Sequence, residues 1–313
     1  MLRIVLTGGT GFVGQAVLRR LARWDGPLAV RALVRGAGRL PARPWLTPVV
    51  GELPAVPAGL FFEDVPQVLV HLGTKQIDHD RRGFDAVNMV GTERLLAAAP
   101  ESCVGAVYGS SISVYGAGAQ VGLSEDAPLA PATPLARSRA AAEARVLADP
   151  RRGATVFRPR FIFGRGDRHT MPGLVKLVRR RLSLGTGRQA FTIVDVDDYA
   201  ELIVRAAAAH AAGERRQRVL HAGYTRPISL AEITQVIRGE LSLPPARLCV
   251  PVSERGLRAL AFAPSLRTKL DLFGLPHHVD VGALARSLGA DTVGRDAAEV
   301  IRQAVFTSHG KES

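Results

Sequence analysis

The chain has 313 residues, 47% hydrophobic and 22% charged, enough for one large α/β domain or a domain carrying a smaller lobe. No run of about 18 uncharged apolar residues occurs, so no membrane span is expected, and the widely separated Cys103 and Cys249 suggest neither a disulfide framework nor a zinc site. The net charge is +13, with arginine supplying 37 of the 41 basic residues. That skew follows genome base composition more often than function. A basic surface favours anionic ligands, nucleic acid or acidic lipid, and the lack of interleaved basic and aromatic residues argues against nucleic acid.

In chain order, Ile4, Val5 and Leu6 form an apolar run too short for a helix and suited to a buried strand. It starts at the N-terminus, leaving no room for a cleaved signal, and a cytoplasmic protein is the expectation. Thr7-Gly8-Gly9-Thr10-Gly11-Phe12-Val13-Gly14 follows as a tight glycine turn. Val13, Val17 and Leu21 then recur at helical spacing, with Arg19, Arg20 and Arg23 facing water.

Further strands are expected at 29–34, 47–53, 67–72, 104–110 and 154–157, with helices at 85–99 and 134–149 between them. Thr133 suits an N-cap and Pro134 the first helical position. Strand and helix alternate, which predicts a mostly parallel, doubly wound sheet with helices on both faces. From about residue 160 the rhythm changes to a basic helix (172–182), a strand (190–194), a helix from Asp195 to Ala209, a strand (219–222), a capped helix (229–241) and a mainly helical remainder. Two domains are expected: a dinucleotide-binding domain over 1–160, and a substrate lobe over 161–313 with some segments returning to the first domain.

Strand, glycine turn and helix form the phosphate-binding corner of a Rossmann unit. Gly9, Gly11 and Gly14 fit G-x-G-x-x-G, and Gly8, Gly11 and Gly14 fit its T-G-x-x-G-x-x-G variant. Glycine lets the backbone approach a pyrophosphate, and the new helix offers free N–H groups and the positive end of its dipole. About 20 residues further on, an NAD-preferring chain places an acid for the ribose 2′-hydroxyl. Arg35 stands there instead, and no acid occurs between Asp25 and Glu52. NADP is therefore expected over NAD.

Several motifs in order resemble the extended short-chain dehydrogenase/reductase family, the group of NAD-dependent epimerases and dehydratases. They are TGGTGFVG (7–14), HLG (71–73), NMVGT (88–92), SSISVYG (110–116), RPRFIFGRGD (158–167) and IVDVDDYA (193–200). The resemblance implies that Gly8, Gly11 and Gly14 cradle the pyrophosphate and Arg35 lies beside the adenosine ribose. Leu72 and Gly73 line the cofactor cleft, and Asn88 holds a helix against the cofactor loop. Ser111 matches the family's catalytic Ser/Thr. Members often dimerise through two Rossmann helices, so a homodimer is an expectation of the resemblance alone.

The chain departs from the family where chemistry is concentrated. Tyr-x-x-x-Lys, one helical turn apart, should supply an acid/base and a ribose-binding cation. Here Leu135 and Arg139 stand at those positions, and no Tyr-x-x-x-Lys occurs anywhere. Arginine can still donate to ribose hydroxyls. Tyr115 is the family's usually structural VYG tyrosine and the weakest catalytic candidate. Phe161 stands where nucleotide-sugar enzymes carry an asparagine, which implies an altered or less polar ligand, or none. With Ser111, Arg160 and Arg168 it completes the expected substrate contacts. No metal site is expected, because His71 and His79 are too sparse a set, and His277-His278 reads as a turn. The expected function is NAD(P)-dependent oxidoreduction, epimerisation or dehydration of a small, nucleotide-linked or other anionic molecule. The alternatives are an inert dinucleotide-binding sensor or assembly subunit, and a non-redox lyase or isomerase.

Overall fold

The structure is a computed structural model that describes residues 1–260, 262–289 and 294–309. In chain order its elements begin β1 (Leu2–Thr7), α1 (Phe12–Leu21), β2 (Leu28–Val34), β3 (Leu46–Val50), β4 (Gln67–His71), α2 (Gly91–Ala98) and β5 (Cys103–Gly109). Next come β6 (Gln120–Leu123), α3 (Pro134–Leu147), β7 (Gly153–Pro159), β8 (Phe161–Phe163), α4 (Thr170–Arg179), β9 (Leu182–Leu184), β10 (Ala190–Phe191) and β11 (Ile193–Asp195). The chain continues with α5 (Val196–Ala211), β12 (Gln217–Ala222), β13 (Ile228–Ser229), α6 (Leu230–Glu240), β14 (Leu248–Val250) and α7 (Glu254–Ala259). It closes with α8 (Pro264–Gly274), β15 (His277–Val279), α9 (Gly282–Leu288) and α10 (Ala297–His309).

Seven strands form the main sheet in the order β12-β7-β5-β4-β1-β2-β3. Every pair from β7 to β3 is parallel. The order reverses between β1 and β4, and in open α/β sheets ligands bind beyond the strand ends at such a switch point. Central strands buried on both faces read as unbroken apolar runs. β4 (QVLVH) and β7 (GATVFRP) are buried at every residue. β3 lies at the edge, which is why it tolerates Pro48.

Two compact units emerge. The first holds 1–116, 129–158 and 197–220, and the second holds 117–128, 159–196 and 221–313. Residues 117–128, expected in the first domain, belong to the second because β6 pairs with β15 there. The second unit carries a four-stranded sheet, β13-β10-β15-β6, and the two-stranded pairs β11-β8 and β14-β9. Its strands are two to four residues long, too short for periodicity to reveal. The histidine pair expected in a turn lies instead in β15. His277 is buried, and its Nε2 bonds the Asp271 carbonyl at 2.9 Å.

Local chemistry sets the helix ends. Thr133 accepts from the Ala136 N–H at 3.1 Å, with Pro134 opening α3. Ser229 and Glu232 form a reciprocal capping box at α6. The helix expected over 85–99 begins as a π turn, Ala86–Val90, before continuing as α2. Such turns widen a helix by one residue and recur at functional sites.

Candidate functional site

The glycine turn joins β1 to α1. Gly8 takes φ +75°, and a Cβ there would stand 2.6 Å from the Leu72 carbonyl at the end of β4. A Cβ on Gly14 would overlap the Gly8 carbonyl oxygen. These two positions bring β1, β4 and α1 together more closely than any side chain permits. Gly11 caps α1 without a side-chain bond, and no acid lies in the first turn. The first N–H groups of α1 are therefore uncapped by side chains, as a pyrophosphate requires. Thr10 closes the turn, its carbonyl accepting from Gln15 Nε2 at 3.2 Å. Phe12 and Val13 are half-buried at the helix entry.

Beneath this turn runs a buried chain of hydrogen bonds. The Gly73 N–H donates to Thr7 Oγ1 at 2.9 Å, and Thr7 Oγ1 meets His71 Nδ1 at 2.6 Å. His71 Nε2 meets Thr92 Oγ1 at 2.9 Å, and Thr92 donates to the Asn88 carbonyl at 2.5 Å. The chain closes consistently with neutral His71 protonated on Nε2, a tautomer assigned from the network. Burial lowers its pKa from 6.5 to about 4.

Asn88 lies on the π turn. Its Oδ1 accepts from the Lys75 N–H at 2.6 Å, and its Nδ2 donates to the Lys75 carbonyl at 3.1 Å and to Ser138 Oγ on α3 at 3.0 Å. One amide thus ties the loop after β4 to the π turn and to α3. Lys75 fastens the same loop from its side chain, bonding Asp78 at 2.6 Å and also Asp80. Those two carboxylates raise its pKa. His79 between them is exposed.

At the end of β5, Ser111 is half-buried and its Oγ accepts from the Ser113 N–H at 3.2 Å. One lone pair is thus occupied, while the hydroxyl proton stays available for a substrate oxygen. Leu135 is half-buried one turn before Arg139. Arg139 is 9% exposed; its Nη1 donates to Ser113 Oγ at 3.4 Å and its Nη2 to Gln76 Oε1. Its Nε is buried and unpartnered, as are the Tyr108 and Tyr199 hydroxyls and Ser110 Oγ. Burial lowers the Arg139 pKa and raises both phenols, while the Arg139 charge acts on each phenol in the opposite sense. Tyr115 sits elsewhere, in a buried ion-pair network. Its hydroxyl accepts from Arg158 Nη1 at 2.6 Å, and Arg158 meets the Glu143 carboxylate at 2.5 Å.

Gln76, Thr92, Ser113 and Ser138 are polar partners that motif reading passed over. Ser113 and Thr92 carry local signals, one lying two residues past Ser111 in the turn Ile112–Tyr115 and the other closing the NMVGT motif. The others are recruited across 50 to 63 residues of chain.

In the second unit, Phe161 lies in the interior. It is 4% exposed, stacked on Phe273 at 5.1 Å and edge-on to Phe191 at 5.3 Å. The position expected to contact substrate is thus an aromatic core position. Arg160 stands over the Phe161 ring, its Nη2 donates to the Leu272 carbonyl at 3.3 Å, and burial lowers its pKa to about 10. Arg168 is exposed beside Asp167, whose carboxylate accepts from the N–H groups of His169, Thr170 and Met171 at the start of α4. Among the described residues no cluster of three metal-ligating side chains occurs, and no helix is long and apolar enough to cross a membrane.

The model of the NAD dependent epimerase/dehydratase family matches residues 4–222. The chain is 29% identical over 269 residues to UDP-glucose 4-epimerase of Mycolicibacterium smegmatis, spanning 78% of this chain and 84% of that one. It is 30% identical over 315 residues to the 4-hydroxy-2-methyl-3-oxo-4-farnesyl-3,4-dihydroquinoline-1-oxide ketoreductase of Stigmatella aurantiaca, spanning 92% and 91%. Among solved structures, UDP-glucuronic acid 4-epimerase from Bacillus cereus in complex with NAD superposes with a TM-score of 0.77 at 15% identity, all of both chains being covered. The dinucleotide in that structure, and in others of the same fold, is NAD. The expectation of NADP is corrected accordingly. Arg35 had suggested a 2′-phosphate, but it is exposed and lies 3.6 Å from the Glu52 carboxylate, which already answers its charge.

Proposed function

The chain belongs to the NAD dependent epimerase/dehydratase family, and from that premise we propose that it binds NAD and acts as an atypical oxidoreductase on the alcohol or ketone oxygen of a small molecule. The observation that carries this reading is the glycine turn with its uncapped α1 N-terminus, locked to the loop after β4 through Thr7, His71, Thr92 and Asn88. These residues fit a dinucleotide. A Cβ at Gly8 or Gly14 would fill the cradle, and the unpartnered Arg139 Nε is a buried donor awaiting an acceptor such as a ribose hydroxyl. Residues Thr7 to Gly14 would hold the pyrophosphate, and Leu72 and Gly73 would line the cleft.

Held by these residues, NAD would supply hydride chemistry at the substrate's carbinol carbon. Ser111, oriented by the Ser113 N–H, donates its hydroxyl proton in a hydrogen bond to the reacting oxygen and polarises it. Arg139 keeps a fixed positive charge nearby. Leu135 exchanges no proton, so the proton that completes the alcohol on reduction, or leaves it on oxidation, is exchanged with solvent water; without the positioned acid/base that ordinarily contributes about 10²–10⁴-fold, turnover is slow. Phe161, buried among aromatic rings, supplies no amide to a sugar or its diphosphate, which favours a less polar substrate. The ketoreductase relative supports that direction.

A second reading, an inert NAD-binding subunit, is favoured by Leu135 alone. Incubating the protein with deuterated NADH and a panel of hydrophobic ketones separates the two. Slow deuterium transfer supports the enzyme, and transfer to none supports the inert subunit. Rapid UDP-sugar epimerisation contradicts both.

A further inference from the structure

We propose that one face of the second unit, formed by the end of α4, β14 and the α7–α8 hairpin, docks on an anionic lipid bilayer. Between Asp167 and Asp195 the chain carries six cations and no acid. Between Arg247 and Lys269 it carries five cations against the single carboxylate of Glu254.

The fold brings these two segments together. Arg181, two residues past α4 and in the left-handed region at φ 56°, has a carbonyl that accepts from both the Arg247 N–H at 2.8 Å and the Leu248 N–H at 3.3 Å. From there β14 runs parallel to β9, with Leu248 opposite Leu182. β9 in turn packs on α8, and α8 on α7. Arg180, Arg247, Arg255, Arg258 and Lys269 are all exposed.

Large apolar side chains stand among these charges. Phe262, in the turn between α7 and α8, is 83% exposed, Leu248 58% and Leu266 49%. Exposed apolar side chains on the same segments as exposed arginine and lysine are the composition of an interfacial surface, where cations meet lipid phosphates and the apolar tips enter the acyl boundary. A nucleic acid would answer the charge but leave Leu248 and Leu266 in water. A second copy of the same face would set cation against cation. The bilayer is the one partner that answers both features, and the proposal is independent of NAD binding.

The test uses the full chain with sucrose-loaded vesicles, either of phosphatidylcholine alone or mixed in equal parts with phosphatidylglycerol. Co-sedimentation is expected with the acidic vesicles only, and it should weaken as salt screens the cations. R180A and R247A should each reduce partitioning about fivefold, and F262S about tenfold. The three side chains are exposed, so these variants leave the core untouched. The proposal is overturned by no binding to acidic vesicles at low salt, by equal binding to neutral vesicles, or by full binding of F262S. Retention by duplex DNA without vesicle binding overturns it equally.

Discussion

The side-chain amide of Asn88 grips the main chain of Lys75 from both sides, accepting from its N–H at 2.6 Å and donating to its carbonyl at 3.1 Å. The π turn gives Asn88 this reach, and Ser138 fixes the amide from α3. The loop between β4 and the π turn therefore has one geometry, and it is the loop that presents Gln76 to Arg139.

Removing that amide should loosen the loop. Asn88→Leu leaves the N–H and carbonyl of Lys75 without their partner, at a cost of about 2–4 kcal/mol. Urea denaturation should register the loss. NADH titration on the folded variant should show weakened binding, whereas Asn88→Asp, which still accepts from the Lys75 N–H, should lose less.

Acid should destabilise the protein through its buried imidazoles. His71 is held neutral with a pKa lowered to about 4 by burial, and His277 to about 3. Unfolded histidine takes up a proton near 6.5, so the unfolded state binds more protons once pH falls below that value. Stability from His71 is fully present above pH 6.5 and declines towards pH 4, by about 3 kcal/mol in all. Melting temperature measured from pH 8 down to pH 4 should fall across this window. The fall should be shallower in His71→Asn.

The ion pair of Glu143 with Arg158 has side-chain exposures of only 2% and 4%. Removing one partner strands a buried charge, so Glu143→Gln should cost about 3–5 kcal/mol. Arg158 also holds the Tyr115 hydroxyl. Tyr115→Phe should therefore lower stability modestly and leave NADH affinity unchanged, separating a packing role from a catalytic one by denaturation and fluorescence together.

Leu135 and Arg139 mark where proton transfer is missing. Leu135→Tyr with Arg139→Lys restores a phenol and an ammonium one helical turn apart. Hydride transfer to ketones should then rise by about 10²-fold or more, with a pH dependence absent from the parent. Stopped-flow absorbance at the NADH band across pH follows both. No gain would mean that the surrounding cleft, rather than the missing dyad, limits the reaction.

The corner at residues 7–14 was legible because glycine spacing at a strand end dictates backbone geometry directly, and the parallel sheet because its strands are apolar runs. The register of helices after β4 was legible except for its π turn, whose extra residue leaves no compositional trace. The cofactor preference misled because Arg35 was read alone. Its neutralising neighbour, Glu52, is 17 residues on, past the end of β3, and only the fold brings the two side chains within 3.6 Å. Phe161 was legible as an apolar residue at a position where a polar one was expected, but its absorption into an aromatic stack depends on Phe273, over a hundred residues away. That Tyr108 Oη, Ser110 Oγ, Tyr199 Oη and the Nε of Arg139 are all buried without partners left no signal, since three distant segments contribute to them.

Isothermal titration calorimetry of the intact protein with NAD and with NADH tests the central claim most directly. Saturable uptake of one nucleotide per chain, abolished in Gly14→Val and weaker for the 2′-phosphorylated form, is the predicted result. No heat with either nucleotide would contradict it and would leave the glycine turn as structure alone.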